Sequence, residues 1–309
     1  MTGYWRRTRK KIKNWLIFVL VRFGLRWLRS VSRQTAIKFM QTLGLIGFYL
    51  VPSERRKTIQ HLTKVYGQTK SSQEIHRLAK SVFLLLGRNM ADAFALSRFN
   101  AANVDRFVKW CGSEHLDAAL KKGRGVIALT GHIGNWELMG AFIAMKGYVV
   151  NVVGAPIYDP RLDELVVQNR RSAGLKYIAR GGATREIIRA LQRNEIVGIL
   201  IDQDTKHVDG VFVDFLGTPA YTPVGPVLLA LKTGCAIVPM AIHSLKNGSH
   251  LVEIEPEIPL IITGNPERDR IDNTQACSAA LERFIRKYPT QWVWMHERWK
   301  TRPPTANSR

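Results

Sequence analysis

The residues best placed to do chemistry are His132 and Glu137, five positions apart in the run VIALTGHIGNWELMG at 126–140. A neutral imidazole can take a proton from a hydroxyl, while a carboxylate on its other nitrogen orients the ring and stabilises the imidazolium that forms. Within one regular helix, a five-residue offset turns two side chains roughly 140° apart at 3.6 residues per turn, too far round to meet. With His132 in a loop bounded by Gly131 and Gly134, and Glu137 in the first turn of a helix, the chain can fold back. The expectation is therefore a His132–Glu137 pair whose second ring nitrogen is free to act as a base. A nearby helix N-terminus also disfavours protonation of the ring. A strand-to-helix turn capped by a histidine is the commoner meaning of an isolated His-x4-Glu. The zinc-protease pattern HExxH is excluded, because no second histidine follows at the required offset.

Other residues carry two readings. Asp202 and Asp204 end an apolar run, where α/β proteins place ligand-facing groups; such a pair can equally fix a turn. His207 has no partner in the sequence and is expected on a loop surface. Phe212, Val213, Phe215 and Leu216 would line an apolar groove or simply fill a core. Trp292, Trp294 and Trp299 are expected to pack rather than stack on a cofactor. His296, Arg298, Lys300 and Arg302 would meet phosphates of an acidic lipid or lie solvated at the surface.

The elements that must position these groups follow from periodicity. Up to about residue 115 the pattern is helical, with a basic first segment, an apolar stretch at 39–51 ended by Pro52, and a long helix near 73–96. Beyond Lys121-Lys122-Gly123, short β-rich runs at 125–129, 148–153, 196–201, 235–242 and 251–254 alternate with helical patterns at 136–145, 161–172, 183–192, 225–231 and 274–287. Strands separated by helices predict an α/β fold, a mixed sheet flanked by helices, preceded by an N-terminal helical portion that associates with membrane. The boundaries expected are 1–60 for basic amphipathic anchoring helices, 61–115 for a helical lead-in, 116–302 for the α/β domain and 303–309 for a loose tail.

Charge narrows the partners. The chain of 309 residues is 46% apolar and carries a formal net charge of +22, which implies a polyanionic partner. Residues 1–60 hold 14 Lys or Arg against the single acid Glu54, so 13 of those charges lie there. They interleave with Trp5, Trp15, Phe18, Phe23 and Trp27, and Arg22, Arg26, Arg29 and Arg33 form one stripe at helical spacing. That pattern suits a bilayer interface better than a duplex, so nucleic acid is not an expected partner. From 14 to 28 a helix is roughly 22 Å long, short of a roughly 30 Å hydrocarbon core, so an anchor lying in the interface is favoured over a span. No small-residue cleavage site follows the basic start, so the segment reads as retained rather than as a leader. Cys111, Cys235 and Cys277 show neither a disulfide nor a zinc pattern and fit a reducing, cytoplasmic setting.

Three blocks carry a family resemblance over nearly the whole chain: GHIGNWE at 131–137, DQD at 202–204 with GVFVDFLGTPAYTPVGP at 210–226, and YPTQWVWMHERWKTRP at 288–303. The sequence resembles the lipid A late acyltransferases of the bacterial lysophospholipid acyltransferase superfamily. The resemblance implies a glycerolipid acyltransferase-like fold at the cytoplasmic face of the cell inner membrane. It also implies transfer of a fatty acyl chain from acyl carrier protein, or acyl-coenzyme A, to a hydroxyl of an anionic glycolipid, with no metal or organic cofactor. His132 would be the base and Glu137 its partner. Asn135 and Trp136 would wall or position substrate, Arg170 or Arg171 in NRRSAG would anchor it, and Asp202 and Asp204 would complete the binding set. Glu137 in place of aspartate, and the lack of an EGTR block, favour a lipid A type acceptor over glycerol 3-phosphate. A mannosylated phosphatidylinositol or a lysophospholipid is the alternative acceptor. No serine or cysteine sits in a G-x-S-x-G elbow, so direct transfer is expected.

Overall fold

A computed structural model describes residues 2–205 and 208–304. The chain opens with four helices, α1 (Thr2–Ser30), α2 (Arg33–Leu50), α3 (Pro52–Tyr66) and α4 (Ser72–Ala93). Their limits are set locally. Ser32 caps α2 by accepting from the Thr35 amide, and Pro52 opens α3 where its missing N–H costs nothing. Ser71 and Glu74 close a reciprocal capping box on α4. Thereafter come β1 (Val108–Cys111), α5 (Ser113–Leu120), β2 (Val126–Thr130), α6 (Trp136–Met145), β3 (Val150–Gly154), α7 (Pro160–Arg171) and β4 (Lys176–Ala179). The chain continues with α8 (Thr184–Gln192), β5 (Ile196–Leu200), β6 (Gly210–Phe215), β7 (Thr218–Pro223), α9 (Gly225–Thr233), β8 (Ala236–Ser244), β9 (His250–Ile254) and α10 (Pro266–Lys287).

Seven strands form one sheet in the order β1-β9-β8-β2-β5-β3-β4, parallel at every pairing except β8 with β9, as the alternating pattern predicts. Every residue of β2 and β8 is buried, which suits strands covered on both faces. Alternate residues of β2 sort to opposite layers. Val126 and Ala128 pack under α5 and α6 with Leu116, Leu138 and Phe142, while Ile127 and Leu129 join Ile187, Leu191, Leu281 and Phe284 of α8 and α10. Between β2 and β3 the chain passes over one face through α6; from β5 it passes by way of α9 on the other face to β8. Connections therefore diverge at the carboxyl ends of the adjacent strands β2 and β5, the point in such sheets where a crevice opens for ligand.

α3 falls within the stretch read as helical, but α5, β4 and the β6–β7 hairpin lie outside the sequence reading, and β1 is a strand where a helical lead-in is expected. β1 and β4 are four-residue strands, too short for alternation to register. The hairpin turns on Leu216 and Gly217, both at positive φ, as a two-residue turn between right-twisted strands requires. α1 exposes Trp15, Leu20, Phe23 and Trp27, and α2 exposes Phe39, Leu43, Ile46 and Leu50. Among the described residues, no helix is long and apolar enough to cross a membrane.

Candidate active site

The β2–β5 register builds the centre. Thr130 pairs with Leu200, so His132 and Asp202 each stand two residues past the ends of neighbouring strands. A side chain at position 131 would put its first carbon 2.9 Å from Asp202 Cγ, and Gly131 leaves that space to the carboxylate. His132 Nδ1 lies 2.8 Å from Asp202 Oδ1; the His132 backbone N–H donates to Oδ2 at 2.6 Å, and Trp292 Nε1 donates to the same oxygen at 2.8 Å. Burial alone would raise the Asp202 pKa, but the His132 charge and these three hydrogen bonds hold it well below the ordinary carboxylate value. An ionised Asp202 makes Nδ1 the donor, and Nε2 becomes the lone-pair nitrogen.

Here the structure departs from the expected His132–Glu137 pair. Glu137 faces Arg170 instead, Nε to Oε2 at 2.9 Å and Nη2 to Oε1 at 2.5 Å. Burial pulls Arg170 down, yet the fork onto Glu137 outweighs it and raises its pKa. The reason for the difference is positional. Asp202, 70 residues away in sequence, already occupies both the ring nitrogen and the amide of His132.

The remaining expected site residues divide. Trp136 stands edge-on to the imidazole with ring centres 4.9 Å apart, and with Arg170 it lines the cavity. Asn135 is fully buried as the N-cap of α6, accepting from the Leu138 amide and donating to the Asn89 carbonyl, so it has nothing left for substrate. Asp202 likewise spends its oxygens on His132 and Trp292. Asp204 holds the C-terminal segment through the amide and hydroxyl of Thr301, at 2.6 and 2.9 Å. Arg171 is exposed on the last turn of α7 and does not line the cavity. His207 lies outside the described residues, as do 305–309 of the expected tail. Val213, Phe215 and Leu216 are core; Trp292 and Trp294 are buried, and Arg298 is wholly enclosed against the Phe215 ring and Tyr221.

Two neighbours of the base escaped the sequence reading of the centre. Gln203 Nε2 sits 3.1 Å from Nε2 and 3.3 Å from Nδ1 of His132. Near-equal distances place it over the ring face, since an in-line donor would be much closer to one nitrogen, and the Nε2 lone pair stays uncovered. His296, whose ring centre is 4.9 Å from that of His132, has its pKa lowered to about 4 by burial and by the His132 charge. It is neutral near pH 7. The loop is fixed from the C-terminal side: Gly134 N–H donates to the Gln291 carbonyl and Val293 N–H to the His132 carbonyl. At Gly134, φ is +60° and an added β-carbon would fall 1.8 Å from the Ile242 carbonyl, so only glycine fits.

Below these groups a cavity of about 990 Å³ opens into the fold. Its mouth carries His132, Glu137, Arg170 and Gln203; its walls include Ala128, Met139, Ile143, Val150, Ile196 and Gly198. The β3–β5 ladder stops at Val152–Gly198 while β2–β5 continues to Thr130–Leu200, so β3 and β5 part beneath the mouth.

A buried polar string reaches the same loop from the N-terminal helices. Arg33 forks onto Asp92, Nε to Oδ1 at 2.8 Å and Nη2 to Oδ2 at 2.6 Å. Asp92 Oδ2 meets His250 Nε2 at 3.0 Å, and His250 Nδ1 meets Ser244 Oγ at 3.2 Å. The Ser244 hydroxyl donates to Asn89 Oδ1 at 2.6 Å, and Asn89 accepts from Asn135 at its carbonyl. Ser244, His250 and Asp92 stand in the order of a hydrolase triad, but the serine is buried and its proton is spent on Asn89, so it is no nucleophile.

Known proteins similar to this chain transfer acyl groups, and the chain is an O-acyltransferase. More narrowly, the model of the bacterial lipid A biosynthesis acyltransferase family matches residues 5–301, and the chain belongs to that family. It is 25% identical over 302 residues to the lipid A biosynthesis lauroyltransferase of Escherichia coli K12, covering 96% of this chain and 95% of that one. It is 28% identical over 222 residues to a phosphatidylinositol mannoside acyltransferase of Mycobacterium tuberculosis H37Rv, covering 69% of this chain and 67% of that one. A lipid A biosynthesis acyltransferase of Haemophilus influenzae is 23% identical over 233 residues, covering 75% and 71%.

Proposed function

We propose that the chain transfers a fatty acyl group from an acyl-carrier-protein thioester to a hydroxyl of a lipid A precursor, with His132 as general base and Asp202 as the carboxylate that orients it. The observation that carries this reading is the buried Asp202 on Nδ1 at 2.8 Å, which turns Nε2 to an apolar cavity of acyl-chain character. Nε2 takes the hydroxyl proton as that oxygen bonds to the thioester carbonyl carbon; the carbon–sulfur bond then breaks and the imidazolium returns the proton to the leaving thiolate. Glu137 and Arg170 form a charge-paired wall at the mouth, and displacement of the carboxylate by an acceptor phosphate would free the Arg170 fork for it. The exposed aromatic and basic face of α1, with the apolar face of α2, docks the protein on an anionic bilayer. A lipid A acceptor is supported by the nearly full-length match to the lauroyltransferase. The shorter but slightly more identical match to the mannoside acyltransferases supports the second reading, a mannosylated phosphatidylinositol acceptor.

The test offers purified protein a phosphorylated glucosamine-disaccharide lipid and, separately, phosphatidylinositol mannoside, each with acyl carrier protein or coenzyme A as donor. Mass spectrometry of the acceptor should show one added acyl chain on the glucosamine lipid with the protein-bound donor. Acylation only of the mannoside would transfer the assignment to the second reading, and no acylation of either would overturn both.

A further inference from the structure

We infer that Gly198 is the residue that sets which acyl chain lengths this enzyme accepts, by keeping a hydrocarbon slot open between the sheet and α6. The inference rests on the acyl-transfer reading above. Gly198 lies in β5, with β2 on one side and β3 on the other, where a strand residue is ordinarily sealed; it is instead partly accessible. A β-carbon built there meets nothing closer than the Asn151 carbonyl at 3.7 Å. Register gives its direction. Gly198 pairs with Ala128 and with Val152, which belong to the layer under α6, so position 198 points into the slot rather than toward α8. Two residues up, Leu200 stands at the mouth. Two residues down, Ile196, with Val150 and Ile143, is almost wholly buried and closes the floor.

The dimensions select a medium chain. From Leu200 to Ile196 is four strand residues, about 13 Å at roughly 3.3 Å each. Carbon–carbon bonds of about 1.52 Å at tetrahedral-like angles advance an extended chain by roughly 1.25 Å, so the slot takes about ten carbons below its mouth. A side chain at 198 would end the slot about half-way, displacing the last five or so. Each methylene left in water loses about 0.8 kcal/mol, roughly fourfold in transfer rate. Valine is at ease in a strand, so the substitution blocks space without opposing the fold.

The experiment presents the parent, Gly198→Val, Gly198→Ala and Ile196→Ala with an equimolar set of acyl-carrier-protein donors from eight to sixteen carbons, and reads the product distribution by mass spectrometry, with circular-dichroism melting to show folding. Gly198→Val should shift the optimum shorter by about four carbons and lower the long-to-short ratio at least a hundredfold. Gly198→Ala should shift it less, and Ile196→Ala should shift it longer. A parent that transfers no chain of any length sinks the underlying acyl-transfer reading. An active parent whose folded variants keep its length profile, or lose all lengths evenly, overturns the gauge alone.

Discussion

His132, Asp202 and Glu137 make different predictions although all three stand around one cavity. Removing the imidazole with His132→Ala should slow transfer at least 100-fold, the lower end of general-base contributions of about 10² to 10⁴. Asp202→Asn keeps the shape but presents an amide to donors, so the ring loses its fixed tautomer and a comparable loss of at least 100-fold should follow. It should also destabilise the fold by about 1–3 kcal/mol, as a buried donor is left facing donors. Glu137→Gln leaves Asp202 in place and weakens only the pair with Arg170, which then competes less with the acceptor phosphate for the fork, so it should lower the acceptor KM while kcat changes little. Steady-state kinetics of the three folded variants check the order, and an Asp202→Asn enzyme within threefold of the parent would return the orienting role to Glu137. Acid stability depends on His296 and on a second histidine, His243, whose pKa values are both lowered to about 4. His243 is enclosed against Tyr288, its two nitrogens lack hydrogen-bond partners among the described residues, and burial lowers its pKa to about 4. The unfolded chain binds a proton near 6.5 that the folded chain refuses until about 4, so stability is full above that window and declines as pH falls through it. Asp202 adds nothing there, because its own contribution is lost only below the ordinary carboxylate range. Urea unfolding at pH 7 and 4.5 should show the parent losing stability and His243→Phe losing less.

At the scale of elements, the catalytic turn depends on how α6 begins. Asn135→Ala removes both the cap on Leu138 and the bond to Asn89, and should cost about 0.5–2 kcal/mol from the cap alone, read as a lowered denaturation midpoint. Much of this architecture was legible beforehand. The runs at 125–129 and 196–201 are apolar throughout because both faces of β2 are covered and β5 has the core on one face and the apolar cavity on the other, and GHIGN breaks the pattern where the chain must turn. The His132 loop and the start of α6 are therefore readable, and Arg170, which the family resemblance singles out, lines the cavity. The partner of His132 is not readable in this way. Spacing along the chain registers a pair five residues apart, whereas Asp202 reaches the ring through a strand register spanning 70 residues. Asn135 differs from its expectation for the converse reason, since a polar residue in a motif looks available while its side chain is committed to the cap and to Asn89. The β6–β7 hairpin was hidden because a leucine at positive φ carries no turn signature.

For the molecule as a whole, charge and the N-terminal helices govern encounter and placement. With a net charge of +22, association with an acidic carrier should be steered by exposed lysines and arginines. Transfer at sub-saturating carrier should therefore fall several-fold from about 10 to 150 mM salt, as the screening length contracts from roughly 30 to 8 Å. A salt-independent rate would argue for an uncharged donor contact. Removing residues 1–26 should release the protein from anionic vesicles in a flotation assay, while the sheet still folds, because Trp15, Leu16, Leu20 and Phe23 of that stretch stand in solvent. Cutting further is a different operation. Arg33 neutralises Asp92, whose carboxylate is otherwise sealed from water and held below its ordinary pKa by His250 and Arg33 against burial. Stripping one partner from such a pair costs about 3–5 kcal/mol, a large share of the roughly 5–15 kcal/mol that holds a domain together. The string from Arg33 to Asn135 thus sets a truncation limit: α2 belongs to the same cooperative unit as the turn bearing His132, and native-state hydrogen exchange should find their amides opening together.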